Sequence, residues 1–379
     1  MRFETKRLGD LVENLDSRRV PVASASRRTG PYPYYGASGV VDHVADYLFE
    51  GDHLLLAEDG ENLRTRALPI AFLASGKFWV NNHAHVLRGR EGVADTRYLS
   101  YALACVDVSG YLSGSAQPKL SQASMNEIRL RIPSLHEQRS IVEVLGALDD
   151  KSDANQKIIS SLEDLLRGVY RKYVAVDDAS RAFLGDMVEL NPNRRIDVEV
   201  APWIPMQALP SPGMTISSIN YAEPKGGVRF KNGDTVMARI TPCLENGKTA
   251  YIACLKEGEV GFGSTEYIVM RSRKGYPSAL SYFIATDPRF RSIAIQRMVG
   301  SSGRQRVKAS DIENIPVSVT GDYSALMRFN ELSERQISLM QSLSAESRTL
   351  ASLRDTLLPA LMSGELRVKD AEKQVEEVL

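Results

Sequence analysis

Residues 8–19 read LGDLVENLDSRR and residues 184–195 read LGDMVELNPNRR, identical at seven of twelve positions. A near-copy 176 residues later constrains this chain more than any single motif, because self-similarity at a long period means that one structural unit is built twice. The shared part (Leu-Gly-Asp, Val-Glu and a closing Arg-Arg) reads as the start of each unit. It forms a helical turn packed through Leu8 and Val12, or Leu184 and Val188, with the paired arginines facing solvent or phosphate.

The correspondence continues along both halves. EGDHLLLAEDGENL (50–63) returns as NGDTVMARITPCLENGK (232–248), anchored by Gly51-Asp52 and Gly233-Asp234, and both predict a Gly-Asp turn entering a buried strand. NNHAHVLRG (81–89) matches GSTEYIVMRS (263–272), each alternating apolar and polar residues before Arg88 or Arg271, as half-buried strands do. SGSAQPKLSQASMNEIRL (113–130) matches SSGRQRVKASDIENIPV (301–317), a Ser/Gly-rich basic loop followed by a short helix and a strand.

Each half closes on a long helix. Ser134 and Glu137 have the spacing of a capping box directly after Pro133. From there a 4-3-4-3 count gives a seam of Ile141, Leu145, Leu148, Ser152, Asn155, Ile159, Leu162, Leu166 and Val169. The same count 191 residues later gives Leu332, Gln336, Leu339, Leu343, Glu346, Leu350, Leu353, Leu357 and Ala360. Matching seams predict helices that pack on each other, with polar Asn155 or Glu346 either fixing their register or marking an opening to solvent. The predicted fold is α+β: tandem α/β units at 1–133 and 183–320, long helices at 134–175 and 321–366, a linker at 176–182 and a charged tail at 367–379, with an internal pseudo-two-fold repeat. Ser363-Gly364 ends the second helix by its C-cap pattern.

Composition sets limits on function. The 47 basic and 47 acidic residues cancel, so any surface for a polyanion must be a local patch. Cys105, Cys243 and Cys254 have neither zinc nor disulfide spacing, which fits packed free thiols in a reducing cytoplasm. No signal peptide or run of about 18 apolar residues is found, so no membrane partner is expected.

The search for catalytic groups finds none. Asn191-Pro192-Asn193 is similar to the base-gripping loop of adenine methyltransferases, but the twin segment has Asp16-Ser17 where Pro192-Asn193 stands, and no cofactor fold accompanies it. ENGKT (245–249) lacks the first glycine of a phosphate-binding loop and reads as a turn. His83 and His85 share a strand face, yet no further ligand follows at metal spacing, and the second half has Glu266 and Ile268 there.

Taken together, YYGASGVV (34–41), the two Gly-Asp strand motifs and IPSLHEQRSIVEVLGALDD (132–150) resemble the specificity subunits of type I restriction-modification systems, over essentially the whole chain. The second helix departs from the pattern, with VSVTGDYSALMRF in place of the usual Glu-Gln start. The resemblance implies two target-recognition domains that each read half of a split double-stranded DNA sequence, separated by an antiparallel coiled coil. It also implies a non-catalytic, cytoplasmic chain that binds no cofactor itself. Its partners would be two copies of an adenine-N6 methyltransferase using S-adenosylmethionine, which an ATP- and Mg-dependent restriction subunit can join.

Reading DNA requires side chains that reach base edges and cations that hold phosphates. The Ser/Gly-rich loops offer both: Ser115, Gln117 and Lys119 in the first half, and Ser302, Arg304, Gln305, Arg306 and Lys308 in the second, with Arg297 just upstream. Tyr34, Tyr35 and Arg239 are weaker candidates. Dissimilar loops imply an asymmetric target, and the helices imply a ruler for its spacer. A standalone DNA methyltransferase or nuclease, or a DNA-binding adaptor of another defence assembly, stays open beside this reading.

Overall fold

The computed structural model describes residues 2–175, 181–301 and 303–378. The chain divides into two compact units, Met1–Asp150 with Leu350–Leu379, and Lys151–Thr349. Each unit takes in part of both long helices, where the sequence pattern set the helices apart as spacers. Of the expected linker, residues 176–180 lie outside the described residues.

In the first unit an antiparallel sheet runs in the order Val12–Asn14, Ala84–Gly89, His53–Ala57, Ala71–Ala74. A second sheet runs Gly39–Val44, Tyr32–Gly36, Lys77–Val80, Phe49–Glu50, with its two central strands parallel. A ribbon of Glu4–Arg7 and Arg129–Ile132 completes the unit. Its main core gathers Leu54, Leu56 and Leu87 from the first sheet, Tyr98 and Leu99 from a helix at Thr96–Ala104, and Ile141, Leu145, Leu350 and Leu357 from the long helices.

The second unit repeats this plan strand for strand. Its sheets run Val188–Leu190, Tyr267–Ser272, Asp234–Ala238, Thr249–Tyr251, and Asn220–Ala222, Ala201–Ile204, Gly261–Gly263, Val228–Phe230, again with a central parallel pair. Its ribbon pairs Arg181–Phe183 with Pro316–Ser318.

The repeat holds with one correction of register. Gly51 and Gly233 both turn the chain at positive φ, 90° and 88°, but the strands that follow begin at His53 and Asp234. Asp52 is therefore exposed, while Asp234 is fully buried and His53 occupies the matching slot in the first unit. One extra residue between glycine and strand is enough to exchange them, since successive strand residues face opposite sides.

The first long helix, Leu135–Val169, opens on the expected capping box: Ser134 N donates to Glu137 Oε2 at 3.2 Å and Glu137 N to Ser134 Oγ at 3.4 Å. The second, Tyr323–Ser363, starts without the Glu-Gln motif of the first; Asp322 caps it instead, accepting from Ser324 N at 2.8 Å, and Gly364 at φ 82° ends it. Ile141, Leu145, Leu148, Asn155, Ile159 and Leu166 are buried and Leu162 partly so. Asn155, 2% exposed, donates to Glu346 Oε2 at 2.7 Å, so the polar positions of the two seams meet in the second unit rather than opening to water.

The expected second seam is displaced by one residue over its first half. Leu339 is 46% exposed and Leu332, Leu343 and Glu346 are only partly buried, while the buried line runs Phe329, Ser333, Ile337, Met340, Ser344. A straight helix drifts by about 20° per heptad from a strict seven-residue repeat, and this stretch packs on a globular core that imposes no such repeat. Leu350 and Leu357 return to the expected positions, with Leu353 partly buried. The tail is ordered as a helix, Val368–Glu376, that sinks Ala371 and Val375 into the first unit's core. Among the described residues no helix is long and apolar enough to cross a membrane. The cysteines are free, but none is fully packed, and Cys105 is exposed.

Candidate nucleic-acid interface

Both basic loops sit on the same backbone frame. In the first unit Glu58 N donates to His83 O at 2.9 Å, Leu120 N to Glu58 O at 2.8 Å, and Ser113 and Lys119 bond each other across the neck of the loop. In the second unit Arg239 N donates to Glu266 O at 3.0 Å, Val307 N to Arg239 O at 3.0 Å, and Val299 and Arg306 close the neck. Positions 58, 83 and 119 are thus equivalent to 239, 266 and 306. Glycines make the turns: a Cβ on Gly114 would stand 2.3 Å from Gln117 O, and one on Gly300 2.9 Å from Arg304 O.

The side chains on this frame differ in charge. In the second unit Glu266 receives Arg306 in a fork, Nε at 2.9 Å and Nη2 at 2.7 Å, and Arg239 Nε at 3.2 Å. These bonds from Arg306, with its charge, hold the Glu266 carboxyl below the usual carboxylate range. Arg306 and Arg239 remain about a third exposed, and Arg304 and Lys308 are exposed beside them. Two guanidiniums share one carboxylate, so the loop keeps a net positive surface.

In the first unit Glu58 takes the arginine's place and pairs with Arg19 at 2.9 Å and Lys119 at 3.4 Å, while exposed His83 lies 2.8 Å from Asp59. Arg64, which the sequence pattern did not single out, fastens the loop by donating to Gly114 O at 2.7 Å and Ser115 O at 3.0 Å. Ser115 and Gln117 project from an exposed tip. Beneath it His85 joins Asp16, at 2.6 Å, to Leu120 O, at 2.9 Å.

Several candidates are relocated. Tyr34 is 1% exposed, its hydroxyl accepts from Val22 N at 3.2 Å, and the Arg27 guanidinium covers its ring, so it belongs to the protein interior and cannot reach a duplex. Tyr35 is half-buried against Phe72 and Phe78, and that burial raises its phenol pKa. Arg297 donates to Asp311 O, away from the loop tip. Of the paired arginines, Arg194 is bound to Asp234 and Arg19 to Glu58, so neither is a free phosphate contact. Asn191 caps the neighbouring strand through Val269 N, and ENGKT is a turn whose Lys248 donates to the carbonyls of Met206 and Leu209. Ser302 lies outside the described residues.

Asp16, Glu58 and His85 bring ligand atoms within 4.8 Å of one another, the spacing of a metal site. The chemistry does not fit an ion. Both His85 nitrogens face oxygen acceptors, and a carbonyl can only accept, so the ring donates at both ends and has no lone pair to offer.

Comparison with known proteins agrees with this architecture. Residues 2–164 match the family described as the type I restriction modification DNA specificity domain. A Haemophilus influenzae protein described as a type I restriction enzyme specificity subunit is 38% identical over 146 residues, which are 38% of this chain and 37% of that one. The Escherichia coli EcoEI specificity subunit is 33% identical over 153 residues, 38% of this chain and 25% of its own length. The matched stretches thus span about a third or less of these relatives. The S subunit of a type I restriction-modification system from M. genitalium shares the fold across 95% of this chain and 96% of its own, with a TM-score of 0.57 at 14% identity. The second unit repeats the matched unit strand for strand, so the shared fold extends past residue 164, while the likeness to the type I restriction modification DNA specificity domain is carried by residues 2–164.

Proposed function

We propose that this chain is the DNA-reading subunit of a type I restriction-modification assembly and carries no catalytic step itself. Two target-recognition domains, 1–133 and 183–320, each read one half of an asymmetric bipartite sequence. The observation that carries this reading is the pair of loops: one backbone frame, closed by equivalent bonds, presents Ser115, Gln117 and Lys119 in one unit and Arg304, Gln305, Arg306 and Lys308 in the other. A fixed frame with exchanged polar side chains is what reading two different half-sites requires, because frame contacts position a duplex and side chains on base edges specify it.

The long helices form an antiparallel coiled coil on this reading. Within the second unit Asn155 meets Glu346, Tyr170 packs on Phe329 and Val174 O accepts from Thr320 N, so partner numbers fall as helix numbers rise. The helices scaffold two copies of an adenine-N6 methyltransferase and, where present, an ATP-dependent restriction subunit. S-adenosylmethionine, ATP and Mg belong to those partners, and the assembly works in the cytoplasm.

The test is to map modified adenines in cells with and without this chain, and to assay the purified chain alone. Loss of one bipartite methylated motif on deletion is the expected result, whereas methyl transfer or cleavage by the isolated chain would refute the reading. The ruler follows from the helical pair: one heptad inserted after Asn155, matched by one before Glu346, adds about 10 Å of helix. That is about three base pairs at 3.4 Å each. The methylation map should show a longer spacer between unaltered half-sites, and an unchanged spacer would count against it.

A further inference from the structure

We propose that Glu266 is a positioning residue for DNA reading by the second unit, holding Arg306 and Arg239 in fixed orientations, and that Glu58 does the same for Lys119 in the first. This rests on the reading that the two loops bind DNA.

The argument starts from geometry. Arg306 commits Nε and one Nη2 hydrogen to Glu266 and Nη1 to Arg304 O at 3.3 Å, and Arg239 commits Nε alone. A guanidinium has five N–H donors in a rigid plane, so fixing the Nε side leaves an outer Nη edge free and aimed. That edge is what makes a bidentate contact with guanine or phosphate. A long side chain on a glycine-rich loop would otherwise be ordered only on binding, which weakens and blurs recognition. The first unit has the same arrangement with the carboxylate on a different strand. Glu58 stands where Arg239 stands and grips Lys119, the counterpart of Arg306, while Arg19 holds Glu58 from below. The gripped cation therefore keeps its place on the loop in both halves, while the carboxylate that holds it moves from one strand to the other around a constant backbone. Lys119, a point charge with no planar fork, is held for a less directional contact than Arg306.

The test uses the full chain with the subunits that co-purify with it, on duplexes carrying the mapped motif, a copy altered in one half-site, and unrelated sequence. Glu266→Gln keeps the arginine count and removes a negative charge. Affinity for the intact motif should fall about tenfold, the scale of one bidentate base contact. Discrimination at the second half-site should fall with it, while non-specific binding holds or rises and discrimination at the first half-site is unchanged. Arg306→Ala should lose the same discrimination, and the double variant no more than either alone, as coupled groups do. Glu58→Gln should act on the first half-site only. Where Glu266→Gln lowers the melting temperature, Glu266→Asp, which keeps the charge, serves as the variant and should retain most of the discrimination. If Arg306→Ala lowers discrimination and Glu266→Gln does not, the positioning role fails while DNA reading stands. If neither Arg306→Ala nor Arg304→Ala changes binding, the DNA reading of this loop fails with it. Equal loss at both half-sites with Glu266→Gln overturns the proposal.

Discussion

Replacing Asp234 by alanine should cost the second unit about 3–5 kcal/mol of stability, enough to unfold it ahead of the first. Asp234 is fully buried at the start of a central strand, and its carboxylate accepts from Arg194 and Arg271, each at 2.7 Å, and from Lys231 N at 2.8 Å. Without it the largely buried Arg194 guanidinium, whose Nε has no hydrogen-bond partner, and the partly buried Arg271 lose the carboxylate they share. Removing one partner of a buried ion cluster costs far more than the cluster adds, because the desolvated charges stay behind. The strand also pairs with Tyr267–Ser272, so the damage reaches the segment that carries Glu266. Denaturant unfolding followed by probes in each unit measures it, since two units need not unfold together. Asp52→Ala is the control: the sequence pattern equates the two aspartates, yet Asp52 is exposed and its loss should stay within about 0.5 kcal/mol. Equal effects from the two variants would overturn the one-residue offset between the two strands.

That pair of aspartates shows where sequence reasoning holds and where it stops. The repeat was legible because it rests on many residues, and the helices because caps and apolar periodicity are local. Strand order was not legible: the central parallel pairs, Tyr34–Tyr35 with Trp79–Val80 and Trp203–Ile204 with Phe262–Gly263, join segments some 45 to 59 residues apart. Leu339 failed because a leucine at the right interval is buried only if something covers that face. Tyr34 failed for the opposite reason, an aromatic next to a glycine-rich turn proving to be core. The loops were found by composition, but their anchors were not. Glu266 and Glu58 look like scattered surface acids until the halves are superposed. The one visible signal was an exchange of charge between repeats, Glu58 for Arg239 and His83 for Glu266, which single positions cannot reveal.

His85 leads to the second large effect. Substituting it by glutamine should destabilise the first unit by about 3 kcal/mol near pH 6, and the deficit should shrink as pH rises. The ring is 1% exposed and donates to Asp16 and to Leu120 O, with Glu58 3.9 Å away. Burial alone would lower its pKa, but the bonds to Asp16 and Leu120 and the nearby carboxylates outweigh burial and raise it above 6.5. Asp16 is the mirror case: burial opposes its charge, yet His85, Val86 N and Asn14 hold its carboxyl below 3.8. A raised histidine pKa contributes stability that is complete below the unfolded value of 6.5 and is lost as pH rises through the folded value. A lowered carboxyl pKa contributes stability that is complete above 3.8 and is lost as pH falls through the folded value. The wild type's advantage over His85→Gln should therefore be largest between 3.8 and 6.5 and decline on the alkaline side. A difference that fails to decline as pH rises above 6.5, or that grows there, would mean the ring is neutral when folded. Added zinc discriminates further, because a ring that donates from both nitrogens gains nothing from the metal, and zinc-dependent stabilisation of the wild type lost in His85→Gln would turn the cluster into a ligand set. The second unit has buried Ile268 at this position, and the carboxylate that holds its loop, Glu266, has its pKa lowered and stays charged as pH rises. Raising the pH should then loosen the Ser113–Lys119 loop and leave the loop of Arg304 and Arg306 in place, a contrast that hydrogen exchange at Leu120 and Val307 would read directly.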